Sequence, residues 1–366
     1  MNLELTDEQI ALRDTVRRFL AEKASIAGHV RPMLDYDTGT TDAVWRGLAE
    51  LGATGLLVPP EYDGAGMTMV EAGVVAEELG AGLHPGPWLS SAVAAPRALT
   101  RFEVAADLAA PLFTGIADGS TIATVGPLDG PRPRVTDGAD VTALRGEIDN
   151  VWDVAVADVL LIVADDPDGT GLFAVHTSAP GIDSTLQAGI DQTHKRFRVI
   201  LDDTPAQRLS SAAPEAFEAL VDDVTIAWAA DALGAARAIL HLVVEYAKVR
   251  RQFGQPIGAF QAVQHLCVDM YETVELARSG VIHALWAADA GDRAERHAAA
   301  MRTKAFAGRL AAVGDMAVQV LGGIGYTWEH DAHLYLKRLL SWSAFLDGSD
   351  RYLVQLGAQF AESVLH

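Results

Sequence analysis

The sequence predicts an α+β multidomain fold: an N-terminal helical domain, a middle antiparallel β barrel and a C-terminal helical bundle. Two observations lead to it. Apolar residues recur at three-to-four spacing up to about Ala110 and again from Pro214 onward. Between them that period is lost, and short β-rich runs alternate with turn clusters. At 366 residues the chain is long enough for two or three cores. The boundaries fall at about 1–115, 116–212 and 213–366.

In the first part, Ile10, Leu12, Val16, Phe19 and Leu20 mark the apolar face of a helix beginning at Asp7. Thr6 is its expected N-cap, with Gln9 at the capping-box position. A Gly/Pro loop at Pro59–Gly66 leads into a second helix, Met69–Leu79. In the middle part, Thr121–Val125, Val159–Val163, Leu172–Val175 and Arg196–Leu201 read as strands. Short strands separated by clusters such as Asp165–Gly171 suggest a small antiparallel barrel or sandwich. In the last part, three long amphipathic segments run over Glu215–Val249, Phe260–Asp289 and Arg293–Leu321, followed by two shorter ones. Long helices with short connections imply an antiparallel bundle.

Composition excludes several function classes. Half of the residues are hydrophobic and 21% are charged, which argues against disorder. The net charge of −21 leaves little to neutralise phosphates, so no nucleic-acid partner and no anionic membrane surface is expected. One cysteine, Cys267, rules out an internal disulfide and reads as a small core residue. No signal pattern and no long uninterrupted apolar run is present, so no membrane span is expected and the compartment is cytoplasmic. Glu329, His330, Asp331 and His333 read as helix-start polarity, and no metal is expected. The glycines at Gly64–Gly66 and Gly322–Gly325 do not sit in a strand–loop–helix unit, and no Gly-x-Ser-x-Gly elbow occurs.

Four segments carry a family resemblance. Leu5-Thr6-Asp7-Glu8-Gln9 resembles the opening helix of the acyl-CoA dehydrogenases. Leu51-Gly52 to Gly66, followed by Glu77-Glu78-Leu79-Gly80, is similar to that family's second N-terminal signature. Tyr246 to Ile257, followed by Phe260-Gln261, closely resembles its helix-to-helix connection, and Val318 to Tyr326 its later glycine-rich turn. Helices, a β domain and a helical bundle is also the family's order.

The resemblance implies a flavoprotein holding FAD. Its pyrophosphate needs donors inside a low-dielectric pocket. Arginine offers a charge-assisted fork, Gln adds donors, and glycines let backbone amides approach. By resemblance, Arg250, Phe253, Gln261, Gln319, Gly322 and Gly323 would hold the adenosine pyrophosphate half, with Ser349 a further flavin contact; the flavin so held belongs mainly to a neighbouring subunit. Taken alone, Arg250 is a solvated helix-end charge and Phe253 a core residue. The implied reaction is 2,3-dehydrogenation of an acyl-CoA, in which a carboxylate removes the α-proton while the flavin ring takes the β-hydride. Asp347, in Phe345-Leu346-Asp347-Gly348-Ser349, stands where the family places a Glu base; Asp-Gly-Ser is equally a turn signal. The alternative base position, on the first long bundle helix, falls at Val224, with Asp222 and Asp223 off register.

The β domain departs from the family. A flavin-contacting Trp-Ile-Thr segment is reduced to Asn150-Val151-Trp152-Asp153, where Trp152 reads as packing rather than a flavin contact. The implied partners are an acyl-CoA, a homologous subunit in a homo- or heterotetramer, and an electron-transfer flavoprotein. The departures resemble paired two-gene enzymes of actinobacterial sterol breakdown. They leave two other readings open: a non-catalytic subunit completing a partner's FAD site, and a flavin monooxygenase of related fold.

Overall fold

The computed structural model describes residues 4–137, 142–167, 169–212 and 214–364. The helices before the sheet are α1 (Asp7–Lys23), α2 (Arg31–Met33), α3 (Asp42–Glu50), α4 (Met69–Ala81), α5 (Ala95–Arg101) and α6 (Ala106–Ala117). The strands are β1 (Ala123–Gly126), β2 (Arg134–Asp137), β3 (Thr142–Trp152), β4 (Val159–Asp166), β5 (Gly169–His176), β6 (Ile182–Leu186), β7 (Arg196–Pro205) and β8 (Gln207–Ala212). Helix α7 (Pro214–Val249) follows, then a hairpin of β9 (Arg251–Gln252) and β10 (Gln255–Pro256). The chain ends with α8 (Gln261–Ala290), α9 (Arg293–Ala307), α10 (Leu310–Leu321), α11 (Ala332–Ala344) and α12 (Ser349–Val364). By compactness it divides into two units: Ala27–Ala72 with Pro85–Val224, and Met1–Ile26 with Gly73–His84 and Thr225–His366.

The first of these units is built on the sheet. Its order is β6-β7-β3-β2-β4-β5-β8, with β1 pairing β4 in parallel. Strand β4 is apolar from Val159 to Ala164 and buried throughout, as a strand covered on both faces must be. Alternate residues Leu160, Ile162 and Ala164 join Phe173, Val175, Phe197, Val199 and Leu201 in one core. The expected barrel is corrected here. Among the described residues β6 and β8 are the two ends of the sheet and do not pair, so it stays open. Strand β6 shows why: from Asp183 to Leu186 it is exposed, so it brings no apolar face that closure could bury. The expected all-antiparallel pairing also fails, because β1 runs parallel to β4.

The second unit is helical. At the start of α1, Thr6 Oγ1 accepts from the Gln9 amide (3.3 Å) and Gln9 Oε1 from the Thr6 amide (3.0 Å), the capping box the sequence predicts. Helices α4 and α7 touch backbone to backbone. A Cβ on Gly234 would lie 1.8 Å from the Glu77 carbonyl oxygen, and one on Gly80 would lie 1.9 Å from that of Asp231. The crossing is flanked by charge. Glu78 is 3% exposed and accepts from Arg17 and Arg237, while Arg338 on α11, 1% exposed, forks onto Asp231 at 2.8 and 2.9 Å.

The expected helix Arg293–Leu321 is two helices, broken at Gly308 and Arg309. Gly308 closes α9 by donating its amide to the Lys304 carbonyl (3.0 Å), and a Cβ there would meet Ser349 Cβ at 3.0 Å. The break therefore lets α12 begin against the end of α9. Helix Glu215–Val249 is long and apolar enough to cross a membrane by composition, but 78% of its most apolar window is buried within the protein. That is the signature of a core helix.

Gly234→Ala is expected to lower stability by about 1–3 kcal/mol despite the better helix propensity of alanine, because the backbones cannot separate cheaply. A urea midpoint equal to the parent's, with equal slope, would contradict the crossing. Asp231→Ala takes the carboxylate away from the buried Arg338 guanidinium, and is expected to cost about 3–5 kcal/mol by the same measurement.

Candidate functional site

Helix α10 ends at Gly322, whose φ of +65° lies in the left-handed region that favours glycine. The turn Gly322–Tyr326 follows. A Cβ on Gly322 or Gly323 would meet nothing within 4 Å, so the backbone there is open to an incoming group. Gln319, one turn back, is exposed, and with Leu266, Met316, Tyr326 and both glycines it lines a cavity of about 610 Å³.

The α7–α8 connection carries the second set of predicted residues. Phe253 (φ +50°) and Gly254 (φ +84°) form the two-residue loop of the β9–β10 hairpin. Phe253 is 92% exposed, with its ring edge against Phe260 at 6.1 Å, so the core reading is wrong. Its geometry presents an aromatic face outward. Arg250 and Gln261 are also exposed, and among the described residues neither side chain has a hydrogen-bond or ionic partner. The structure thus brings Gln319, Gly322 and Gly323 to one cavity, and Arg250, Phe253 and Gln261 to one connection. The second set does not line that cavity.

These groups fit the chemistry of a dinucleotide cofactor. A free guanidinium, free amides, an open glycine backbone and an outward ring are the donors and stacking surface that a pyrophosphate and an adenine require. Another cavity, of about 350 Å³, contains Arg17, Glu78 and Arg237, but these are committed to one another.

Asp347 lies in the turn between α11 and α12. Leu346 (φ +51°) and Asp347 (φ +75°) are both left-handed, and neither is glycine. Each costs on the order of 1 kcal/mol or more, and such strain persists only where the surroundings impose it. The Asp347 carboxylate is exposed and paired with Arg351 one turn into α12. The Leu346 carbonyl accepts from the Tyr352 hydroxyl (2.7 Å). Ser349 is half-buried at the first position of α12, against Gly308.

Behind this turn stands a residue the sequence reading missed. Lys304 on α9 is wholly buried, and its amine donates to the carbonyls of Trp342 (2.6 Å) and Ser343 (3.2 Å). Its Nζ also sits 4.3 Å from the centre of the Trp342 ring. Burial pushes its pKa down to about 7, opposed by the negative charge of Asp347. Lysine is rare in this chain, and one within the alanine-rich run of α9 was the available signal.

The alternative base position is closed. Val224 is fully buried, and the buried Asp223 carboxylate accepts from both Arg97 (2.7 Å) and Arg101 (2.8 and 3.1 Å). Trp152, at the end of β3, is 5% exposed and packs edge-on against His194 at 5.1 Å, as its packing role predicts. Its carbonyl accepts from the Thr124 hydroxyl (2.7 Å). His330 Nδ1 accepts from the Ala332 amide (3.1 Å) at the start of α11, which is helix-start polarity.

Helices before and after a sheet, with an open glycine turn and exposed donors in the second helical part, define a protein able to hold a dinucleotide cofactor on its helical unit. Sequence comparison narrows the class. Residues 6–102 match the acyl-CoA dehydrogenase N-terminal domain, and residues 222–361 match the acyl-CoA dehydrogenase C-terminal domain. The chain is 35% identical over 362 residues to acyl-CoA dehydrogenase FadE34 of Mycobacterium tuberculosis, covering 97% of this chain. It spans about half the length of that relative (48%). It is 33% identical over 358 residues to acyl-CoA dehydrogenase IpdE2 of the same organism, covering 98% of each. A solved structure, a variant of the Tcur3481-Tcur3483 steroid ACAD, superposes with a TM-score of 0.88 at 29% identity, over 98% of this chain and 99% of the other. This chain belongs to the acyl-CoA dehydrogenase family, whose enzymes are FAD-linked oxidoreductases.

Lys304 makes a pH prediction. Its folded pKa of about 7 lies below the ordinary lysine value of 10.5, so between those values the unfolded chain binds more protons. The stability of the parent relative to Lys304→Met is therefore expected to rise from pH 7 toward 10 and to be flat below 7. Chemical unfolding of both proteins across that range checks it. A constant difference would mean that the amine is not desolvated.

Proposed function

We propose that this chain is an FAD-dependent acyl-CoA dehydrogenase subunit that forms the 2,3-enoyl thioester, with Asp347 as the base and a homologous chain completing the assembly. The observation that carries the reading is the exposed set in the helical unit: Arg250, Gln261, Gln319 and Phe253 beside an open glycine turn. An outward-facing set of this kind suits a cofactor shared with a neighbour. Arg250 supplies charge to the pyrophosphate, the Gln side chains supply N–H donors, and Phe253 offers a stacking face.

When bound, the flavin supplies the acceptor for the C3 hydrogen and its electron pair. The work of the chain is to take the C2 proton. That proton passes to Asp347, the C2–H electron pair becomes the second C2–C3 bond, and the substrate is oxidised by two electrons. Arg351 pairs with the Asp347 carboxylate from one turn into α12. The Asp347 side chain is one methylene shorter than Glu, so the thioester must sit correspondingly closer.

A second reading, a supporting subunit that completes its partner's site, is favoured by one observation. Trp152, in the segment that stands near the family's flavin-contacting one, is committed to packing against His194. The relative solved under a two-component name as a steroid ACAD supports a paired assembly, and a bulky, steroid-like acyl group as substrate.

The protein is assayed as purified alone and with a homologous partner, using octanoyl-CoA and a steroid-side-chain CoA thioester. Asp347→Asn is expected to lower kcat about 10²–10⁴-fold with flavin content unchanged. Unchanged turnover in the variant would remove Asp347 as base. Flavin recovered only in the paired complex, with turnover indifferent to Asp347, would establish the supporting role instead.

A further inference from the structure

An aspartate base on a turn of two left-handed residues needs something to fix it, and the turn itself contains no glycine before Gly348. The last carbonyls of a helix lack intrahelical partners. In α11 the Phe345 amide satisfies the Ser341 carbonyl and shares that of Trp342 (3.0 and 3.1 Å). The Trp342 and Ser343 carbonyls then receive the Lys304 amine.

The tie is reciprocal. Lys304 reaches from α9 to the end of α11, while Trp342 Nε1 on α11 donates to the carbonyl of Ala307, the last residue of α9 (2.9 Å). Phe345 continues the wall, with its ring 6.1 Å from Trp342 and stacked on Trp228 at 6.0 Å. Beyond Asp347, Ser349 rests on Gly308. The turn is therefore held on both sides by the end of α9. No hydrogen bond joins Lys304 to Asp347 among the described residues, so beyond the attraction of their charges the lysine reaches the carboxylate through the backbone.

We propose that Lys304 is a positioning residue for the dehydrogenation: by fixing where the chain leaves α11, it sets the place of the Asp347 carboxylate. The inference rests on the reading of Asp347 as base. A neutral amine keeps two N–H donors, so the same two carbonyls can be held on either side of its pKa. Positioning is needed because proton transfer tolerates little misplacement; an error of about 1 Å can cost about 10²-fold in rate.

The test is a double-mutant cycle on the flavin-loaded assembly with octanoyl-CoA and the steroid-side-chain CoA thioester. Lys304→Met keeps the length and removes the donors. It is expected to lower kcat about 10- to 100-fold with little change in KM. In the Asp347→Asn background the same change is expected to cost nothing further, because the lysine acts only through that carboxylate. Lys304→Gln, which restores an N–H₂ donor, should recover part of the loss, and it serves if Lys304→Met does not fold. Equal fold-losses in both backgrounds, full kcat in folded Lys304→Met, or no recovery of kcat in folded Lys304→Gln, would overturn the proposal. Full kcat in Asp347→Asn alone would instead remove the base assignment on which it stands.

Discussion

Helix α11 is held by two buried basic side chains, and the candidate site hangs from its two ends. Arg338, in the body of the helix, is forked onto Asp231 of α7. Lys304, from α9, occupies the carbonyls at its C-terminus. Charges so fully buried are tolerable only when paired or hydrogen-bonded, and both are. Upstream of α11 lies the open turn Gly322–Tyr326, and downstream lies Asp347. One rigid rod thus separates the residues proposed for the cofactor from the residue proposed for the proton.

The rod is rigid because its neighbours are. Helices α4 and α7 meet at Gly80 and Gly234 with no room for a methyl group, which fixes Asp231 in place. Arg338 reads that position directly, and it also donates to the His84 carbonyl just after α4 (3.2 Å). Close packing transmits position in a way that a looser helix pair could not. By contrast, the groups proposed to meet the cofactor are exposed: the polar side chains are left to water, and the Phe253 ring stands in solvent.

Much of this was legible in the sequence, for physical reasons. Helical periodicity and the Thr6–Gln9 capping box are local signals, and they located the start of α1 and both ends of α4, α7 and α8 to within a residue or two. The family segments named the glycine turn and the α7–α8 connection before any geometry was known. Long-range facts were not legible. Whether β6 meets β8, or whether β1 runs parallel to β4, depends on pairings that no short window encodes. The break at Gly308 was hidden because a single glycine within a helical pattern does not announce a stop. Taken without its motif, Phe253 reads as core because aromatic residues usually are, and only the hairpin turns it outward. Lys304 carried almost no signal, since its meaning comes from the end of a helix 38 residues away.

This chain is proposed to take part in oxidising an acyl-CoA thioester at a flavin. The most direct measurement is anaerobic addition of octanoyl-CoA or a steroid-side-chain CoA thioester to the purified, FAD-containing assembly, following the oxidised-flavin absorbance. The absorbance is expected to bleach with one of these thioesters, with one equivalent of enoyl-CoA formed per flavin. Flavin that stays oxidised with both thioesters would contradict it.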